Sequence, residues 1–203
     1  MNNNRCNNAF SPFHNCNNLG SLSANDAKCL NTTTPTDNGS IIPFSSGTSL
    51  VSLVLNIDLS NDGSLLGFGT TVFPATIGNN TIDLTGRLSE AFTVPRDGSI
   101  NAISAEFKST SGIILPGNSA TIRAQIFRAP IGSNIFTGTN ASIDLAPPIT
   151  VAIGGISFGT ANISPEPVSP GDQLLMVYYI SSKTGTAPFA TLRGTASAGI
   201  NIV

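Results

Sequence analysis

The chain has 203 residues, of which 40% are hydrophobic and only 10% charged, and nine Lys and Arg against eleven Asp and Glu leave a net charge of −2. The cations are scattered from Arg5 to Arg193 without a run, which excludes the concentrated basic patch that nucleic acid or an anionic membrane surface demands. The mean hydropathy of +0.18 does not imply a membrane span, because the longest apolar run, Leu174 to Ile180, falls far short of the ~20 residues a spanning helix needs.

The first residues, Met1-Asn-Asn-Asn-Arg-Cys6, show neither the cationic start nor the apolar stretch of a signal peptide, so the expectation is synthesis in the cytoplasm without general secretory export. Residues 1–38 are rich in Asn, Ser, Thr and Asp. They hold the three cysteines, Cys6, Cys16 and Cys29, and the single histidine, His14. With no apolar period of 3.6 or 2, this segment reads as an extended, flexible arm.

From residue 39 to 203 the pattern changes to short stretches of Val, Ile, Thr and Phe separated by Gly, Pro and Asn, the signature of one all-β domain. Expected strands are Leu50 to Leu59, Leu65 to Phe73, Thr81 to Thr85, Glu90 to Val94, Ser99 to Lys108, Ala120 to Arg128, Ala141 to Leu145, Ile149 to Phe158, Gln173 to Ser181 and Ala187 to Ile202. Two show a period of two. Ile100, Ala102, Ser104, Glu106 and Lys108 share one face, with Ile103, Ala105 and Phe107 on the other, and Ile122, Ala124 and Ile126 lie opposite Arg123, Gln125 and Phe127. Phe127 breaks the second alternation, which points to a face buried against a second sheet or a neighbouring subunit. Asn61-Asp62-Gly63, Gly78-Asn79-Asn80, Asp97-Gly98, Pro116-Gly117-Asn118 and Pro170-Gly171-Asp172 read as turns. About ten strands so connected suit a jelly-roll sandwich.

Several phrases resemble a known family: Gly39-Ser-Ile-Ile-Pro-Phe-Ser-Ser-Gly-Thr48, Ser64-Leu-Leu-Gly-Phe-Gly69, Ile82-Asp-Leu-Thr-Gly86, Ala91-Phe-Thr-Val-Pro-Arg-Asp-Gly98, Leu174-Leu-Met-Val177 and Ala196-Ser-Ala-Gly-Ile-Asn-Ile202. Residues 39–203 are similar to the carboxy-terminal domain of the BclB-type exosporium glycoproteins of endospore-forming bacteria. The resemblance implies a jelly roll like the tumour-necrosis-factor and complement heads, trimeric, on the outside of a spore. The family's collagen-like Gly-X-Y tract is missing, and the Asn-rich arm stands in its place.

The chemistry-bearing residues are few. Three cysteines in one arm form an odd set that leaves at least one thiol for another chain. The leading expectation is intermolecular cross-linking through Cys6, Cys16 and Cys29, to sister subunits or to other coat or exosporium proteins; an internal pair with one idle thiol is the plain alternative. A zinc site from Cys6, His14, Cys16 and Cys29 lacks the two-to-four-residue ligand spacing of structural zinc. In Asp58-Leu-Ser-Asn-Asp-Gly63 an EF-hand would need its bidentate acid where Gly69 stands, so a hairpin turn is the better reading.

No metal or cofactor is expected, and no enzyme. His14 sits in the arm rather than beside a nucleophile on a scaffold, and Glu90 with Glu106 is no more than a notional carboxylate pair. Sequons at Asn31, Asn38, Asn79, Asn140 and Asn162 arise easily in so Asn-rich a chain. Arg96 is expected to pair with a carboxylate beside the Asp97-Gly98 turn. The small residues from Gly194 to Gly199 are expected to allow close strand approach near a symmetry axis.

These readings converge on a self-associating structural protein of the spore surface, in exosporium, coat or appendage, linked through its arm and able to stack into fibres. The alternative is an adhesin or receptor-binding head for carbohydrate or a host protein. For that role no aromatic sugar platform is evident: Trp is absent, and Tyr178 and Tyr179 fall on opposite faces of one strand.

Overall fold

The computed structural model describes residues 39–56 and 61–203, and every regular element there is a β-strand. The arm with Cys6, His14, Cys16 and Cys29 lies outside the described residues, and so does Asp58. The strands are β1 (Ser40–Ser45), β2 (Val51–Leu55), β3 (Asn61–Leu66), β4 (Thr71–Ile77), β5 (Thr81–Asp83), β6 (Phe92–Thr93), β7 (Gly98–Ile113), β8 (Ser119–Ala129), β9 (Ile135–Asp144), β10 (Ile156–Val168), β11 (Gln173–Thr184) and β12 (Ala190–Ile202).

All strand pairings are antiparallel. The first sheet runs β10-β7-β12, with β1 and β2 sharing the far edge of β12. The second runs β3-β11-β8-β9-β5, with β4 added to β3 and β6 to β11. A short pairing of β2 with β3 joins them. The chain passes from one sheet to the other between β2 and β3, β6 and β7, β7 and β8, β9 and β10, β10 and β11, and β11 and β12. That alternation makes an antiparallel sandwich a jelly roll.

Two hydrophobic clusters hold it. Between the sheets, Leu53, Ile103, Phe107, Leu192 and Ile200 of the first pack against Ile122, Ile126, Met176 and Ile180 of the second, and each such buried side chain contributes roughly 1.5–3 kcal/mol. Tyr178 spans this core: its hydroxyl donates to the Ser197 carbonyl at 2.7 Å, so the one polar atom it buries is satisfied. The second cluster lies on the other side of the second sheet, where Phe127, Phe136, Leu175, Val177 and Tyr179 are covered by Ala75, Ile82 and Leu84. Phe127 is thus buried by its own chain. Tyr179, on the opposite face from Tyr178, donates to Gln125 Oε1 at 2.6 Å.

Several local expectations need correction. Ile100 faces the core, because Asn101 is an extra residue between the Ile100–Ile202 and Ala102–Asn201 pairs and flips the alternation. Asn61-Asp62-Gly63 is not a turn but the start of β3; Asp62 accepts the Thr76 hydroxyl at 2.7 Å, and a Cβ at Gly63 would stand 2.5 Å from the Tyr178 carbonyl oxygen. The single strand expected from Leu65 to Phe73 is split into β3 and β4 by a turn closed between the Gly67 N–H and the Thr70 carbonyl. The strand expected from Ile149 begins only at Ile156, after Gly154 takes φ +78°. The strand from Ser40 to Ser45, which contains Pro43, was not expected. The turns at Asn79-Asn80, Pro116-Gly117 and Pro170-Gly171 are present. Both Asn79 and Asn80 have positive φ between reciprocally bonded Gly78 and Thr81, the geometry of a two-residue hairpin.

Candidate functional site

The two outer faces of the sandwich differ. That of the second sheet is covered by residues 71–91, whereas that of the first is bare among the described residues. Register defines the bare face row by row. Pro43, Gly199, Ser104 and Thr160 stand side by side, then Ser45, Ser197, Glu106 and Phe158. Further along come Thr195, Lys108 and Ile156. The floor is therefore made of Ser, Thr and Gly, and it sinks into a shallow depression of about 320 Å³ beside Phe158.

Exposed apolar groups rim it: Ile41 is 76% exposed, Phe158 60% and Ile156 48%. A second depression of about 380 Å³ continues the face, lined in part by Val54, Phe73, Ile113 and Thr191. Charge on the face is sparse and internally balanced where it is densest. Lys108 Nζ stands 3.0 Å from Glu106 Oε1, and Ser104 and Thr160 share a 2.8 Å hydroxyl hydrogen bond. A flat, small-residue floor with an apolar rim and self-satisfied polar groups is suited to packing against another protein surface.

The residues singled out from sequence fall in different places. The stretch from Gly194 to Gly199 lies in β12 at the middle of the bare face. There Gly194 points inward, where a Cβ would overlap the Lys108 carbonyl oxygen; its close approach is to β7 of the same chain. Glu90 accepts the Thr70 hydroxyl at 2.8 Å against the second sheet, while Glu106 is on the first, paired with Lys108. They form no carboxylate pair. Arg96 makes its hydrogen bond to the Asp97 carbonyl, at 3.5 Å, and not to a carboxylate. Among the described residues no group of three or more His, Cys, Asp or Glu converges on a metal position.

Sequence reasoning missed Phe158 and Thr160 as members of the face. The sequence pattern starts this strand at Ile149 and ends it at Phe158, ahead of β10, and only the register of β10 against β7 reveals which way they point.

No family model matches the sequence, and no curated protein does. Among solved structures the chain is similar to the Eiger tumour necrosis factor from S. frugiperda, at 12% identity over 82% of this chain and 94% of that one, with a TM-score of 0.38. It is also similar to the structure of infectious bursal disease virus Gx strain, at 13% identity over 81% of this chain and 32% of that one, with a TM-score of 0.32. The strand order of this chain is what defines the jelly roll.

Proposed function

We propose that this chain is a structural protein of the bacterial spore surface, in exosporium, coat or appendage. Its jelly-roll head self-associates through the outer face of the first sheet, and its arm cross-links subunits, or binds them to neighbouring layer proteins, through Cys6, Cys16 and Cys29. The observation that carries the assembly reading is the asymmetry of the sandwich, in which, among the described residues, one outer face is covered and the other is bare. The spore setting rests on the family resemblance of residues 39–203.

The sheet edges support joining by faces. β1 carries Pro43, β4 carries Pro74 and β10 carries Pro165 and Pro167. Proline has no N–H to offer an incoming strand and is a common guard of edge strands. In β1 the guarded side is the free one, since the Ser45 N–H two residues on turns away from β12 to the Gly67 carbonyl at 2.8 Å.

Light scattering of the reduced full chain tests the assembly, and a homo-oligomer is expected. Ser197→Arg, a charge set in the middle of the face, is expected to dissociate it without loss of fold. A wild-type chain that stays monomeric at tens of micromolar, or a variant that assembles unchanged, counts against the reading. Immunogold labelling of intact spores with an antibody to the head tests the location, and label confined to the spore interior would overturn it.

A further inference from the structure

We propose that the groove between β9 and β10 binds a neutral, polyhydroxylated ligand of the sugar class. The two sheets pair strand to strand at β2 and β3 but not at β9 and β10, and the seam closes just beyond β9, where Ala146 and Phe158 exchange backbone hydrogen bonds at 3.0 Å. Along this open seam lies a depression of about 400 Å³, within the size range of small-ligand sites. Its chemistry comes from Arg128, Thr137, Asn140 and Glu166, with Pro130 as its one larger apolar surface.

An irregularity in β10 sets these groups in place. The strand pairs with β7 in register as far as Asn162, and then Ile163, Ser164 and Pro165 intervene before Glu166 pairs with Ile100. Bulges of this kind re-aim side chains at the rims of sheets. Here Glu166 is directed to β9, where Oε2 accepts the Asn140 N–H at a long 3.5 Å and keeps acceptor capacity to spare. Past the bulge, the Pro167 carbonyl accepts from Arg128 Nη1 at 2.6 Å and Asp172 stands 3.7 Å from the same nitrogen, which fixes the guanidinium, carried by β8, against β10.

The groove thus holds a fixed donor fork and a carboxylate acceptor, with a hydroxyl and a carboxamide in the same lining. Adjacent hydroxyl groups, each both donor and acceptor, match such a set of groups. The charge of Arg128 is balanced by Asp172, so Glu166 remains as the excess charge. That excess disfavours phosphate or carboxylate ligands and selects a neutral one. With no aromatic ring in the lining, affinity belongs in the millimolar range, about 1 mM.

The isotopically labelled, reduced full chain, titrated with glucose, galactose and N-acetylglucosamine while backbone amides are followed by NMR, tests this. At least one sugar is expected to shift the amides of Arg128, Thr137 to Asn140 and Glu166 together. Glu166→Gln is expected to weaken binding at least about tenfold, the loss of a charged hydrogen-bond acceptor. Ser197→Arg, which addresses assembly, is expected to leave sugar binding unchanged, so failure here is distinguishable from failure of the assembly reading. No shift of these amides with any of the three sugars, undiminished binding by Glu166→Gln, or tighter binding of glucose 6-phosphate than of glucose would overturn the proposal.

Discussion

A three-residue polar arrangement ties β8, β9 and β11 together at the surface. Arg123 donates to both carboxylate oxygens of Asp144, with Nε at 2.8 Å from Oδ1, and the Ser181 hydroxyl adds a third bond at 2.8 Å. The hydrogen bond from Arg123 holds the Asp144 carboxyl below the ordinary carboxylate range, with Ser181 helping and partial burial opposing. Because the folded value lies below the unfolded one of ~3.9, the interaction stabilises fully above that pH and fades as pH falls through the folded value. Both partners are more than a third exposed, so Asp144→Asn is expected to cost about 1 kcal/mol at neutral pH, at the upper end for a screened pair. Urea unfolding of both proteins across pH checks it: the gap should close below pH ~4, and a gap unchanged in acid would exclude Asp144 ionisation as its source.

At the same scale, Gly194 and Gly199 separate two meanings of a small residue. A Cβ at Gly194 would overlap the Lys108 carbonyl oxygen, whereas at Gly199 its nearest neighbour is 3.8 Å away, at Ile41. Gly194→Ala is expected to destabilise by about 3 kcal/mol, since backbone rather than a side chain must yield, and Gly199→Ala to stay within about 0.5 kcal/mol. Thermal unfolding of the two variants decides it, and equal stability would mean that β7 and β12 are not apposed as described.

Among the elements, the covering of the second sheet by residues 71–91 is a small core of its own. Phe127→Ala removes a fully buried ring from it and is expected to cost about 3–5 kcal/mol. Hydrogen exchange should show where the loss falls: protection is expected to drop first in β4 and β5, while β7 and β12, packed in the other cluster, keep theirs. Uniform loss would mean that the two clusters unfold as one.

Phe127 breaks the alternation of β8, and a large apolar group on a polar face has to be covered; the sequence offers a second sheet or a neighbouring subunit for this, and the cover is residues 71–91 of the same chain. β7 and β8 are legible because their alternation is long enough to outlast local irregularities, β11 because Leu174 to Ile180 is an unbroken apolar run, and Asn79-Asn80 and Pro170-Gly171 because turn geometry is chemically demanding. β1 was not legible, since its edge position makes Pro43 tolerable and that is known only once β12 is beside it. Nor was the reach of β10, whose interruption from Ile163 to Pro165 hides the period of two. The bare face was half legible: the small residues of β12 stood out, but the partners supplied by β10 depended on register, and so did the Glu166 groove.

For the whole molecule, the head from 39 to 203 contains no cysteine, so any disulfide lies within one arm or joins arm to arm or arm to another protein. Three thiols per chain is an odd number, and in the trimer implied by the family resemblance three chains bring nine. Disulfides consume thiols in pairs, so a fully oxidised trimer cannot close on itself, while a variant with two cysteines per chain can. Oxidised full-length protein on non-reducing electrophoresis is therefore expected to extend beyond the trimer and collapse to monomer with reductant. Cys16→Ser is expected to shift it towards discrete bands no larger than the trimer. Thermal unfolding of the head should not change between oxidised and reduced protein, because residues 39–203 contain no cysteine. A clean monomer after oxidation would remove the cross-linking role. A ladder beyond the trimer that survives in Cys16→Ser would show that thiol parity does not limit growth, and that linkage passes between trimers whatever the count.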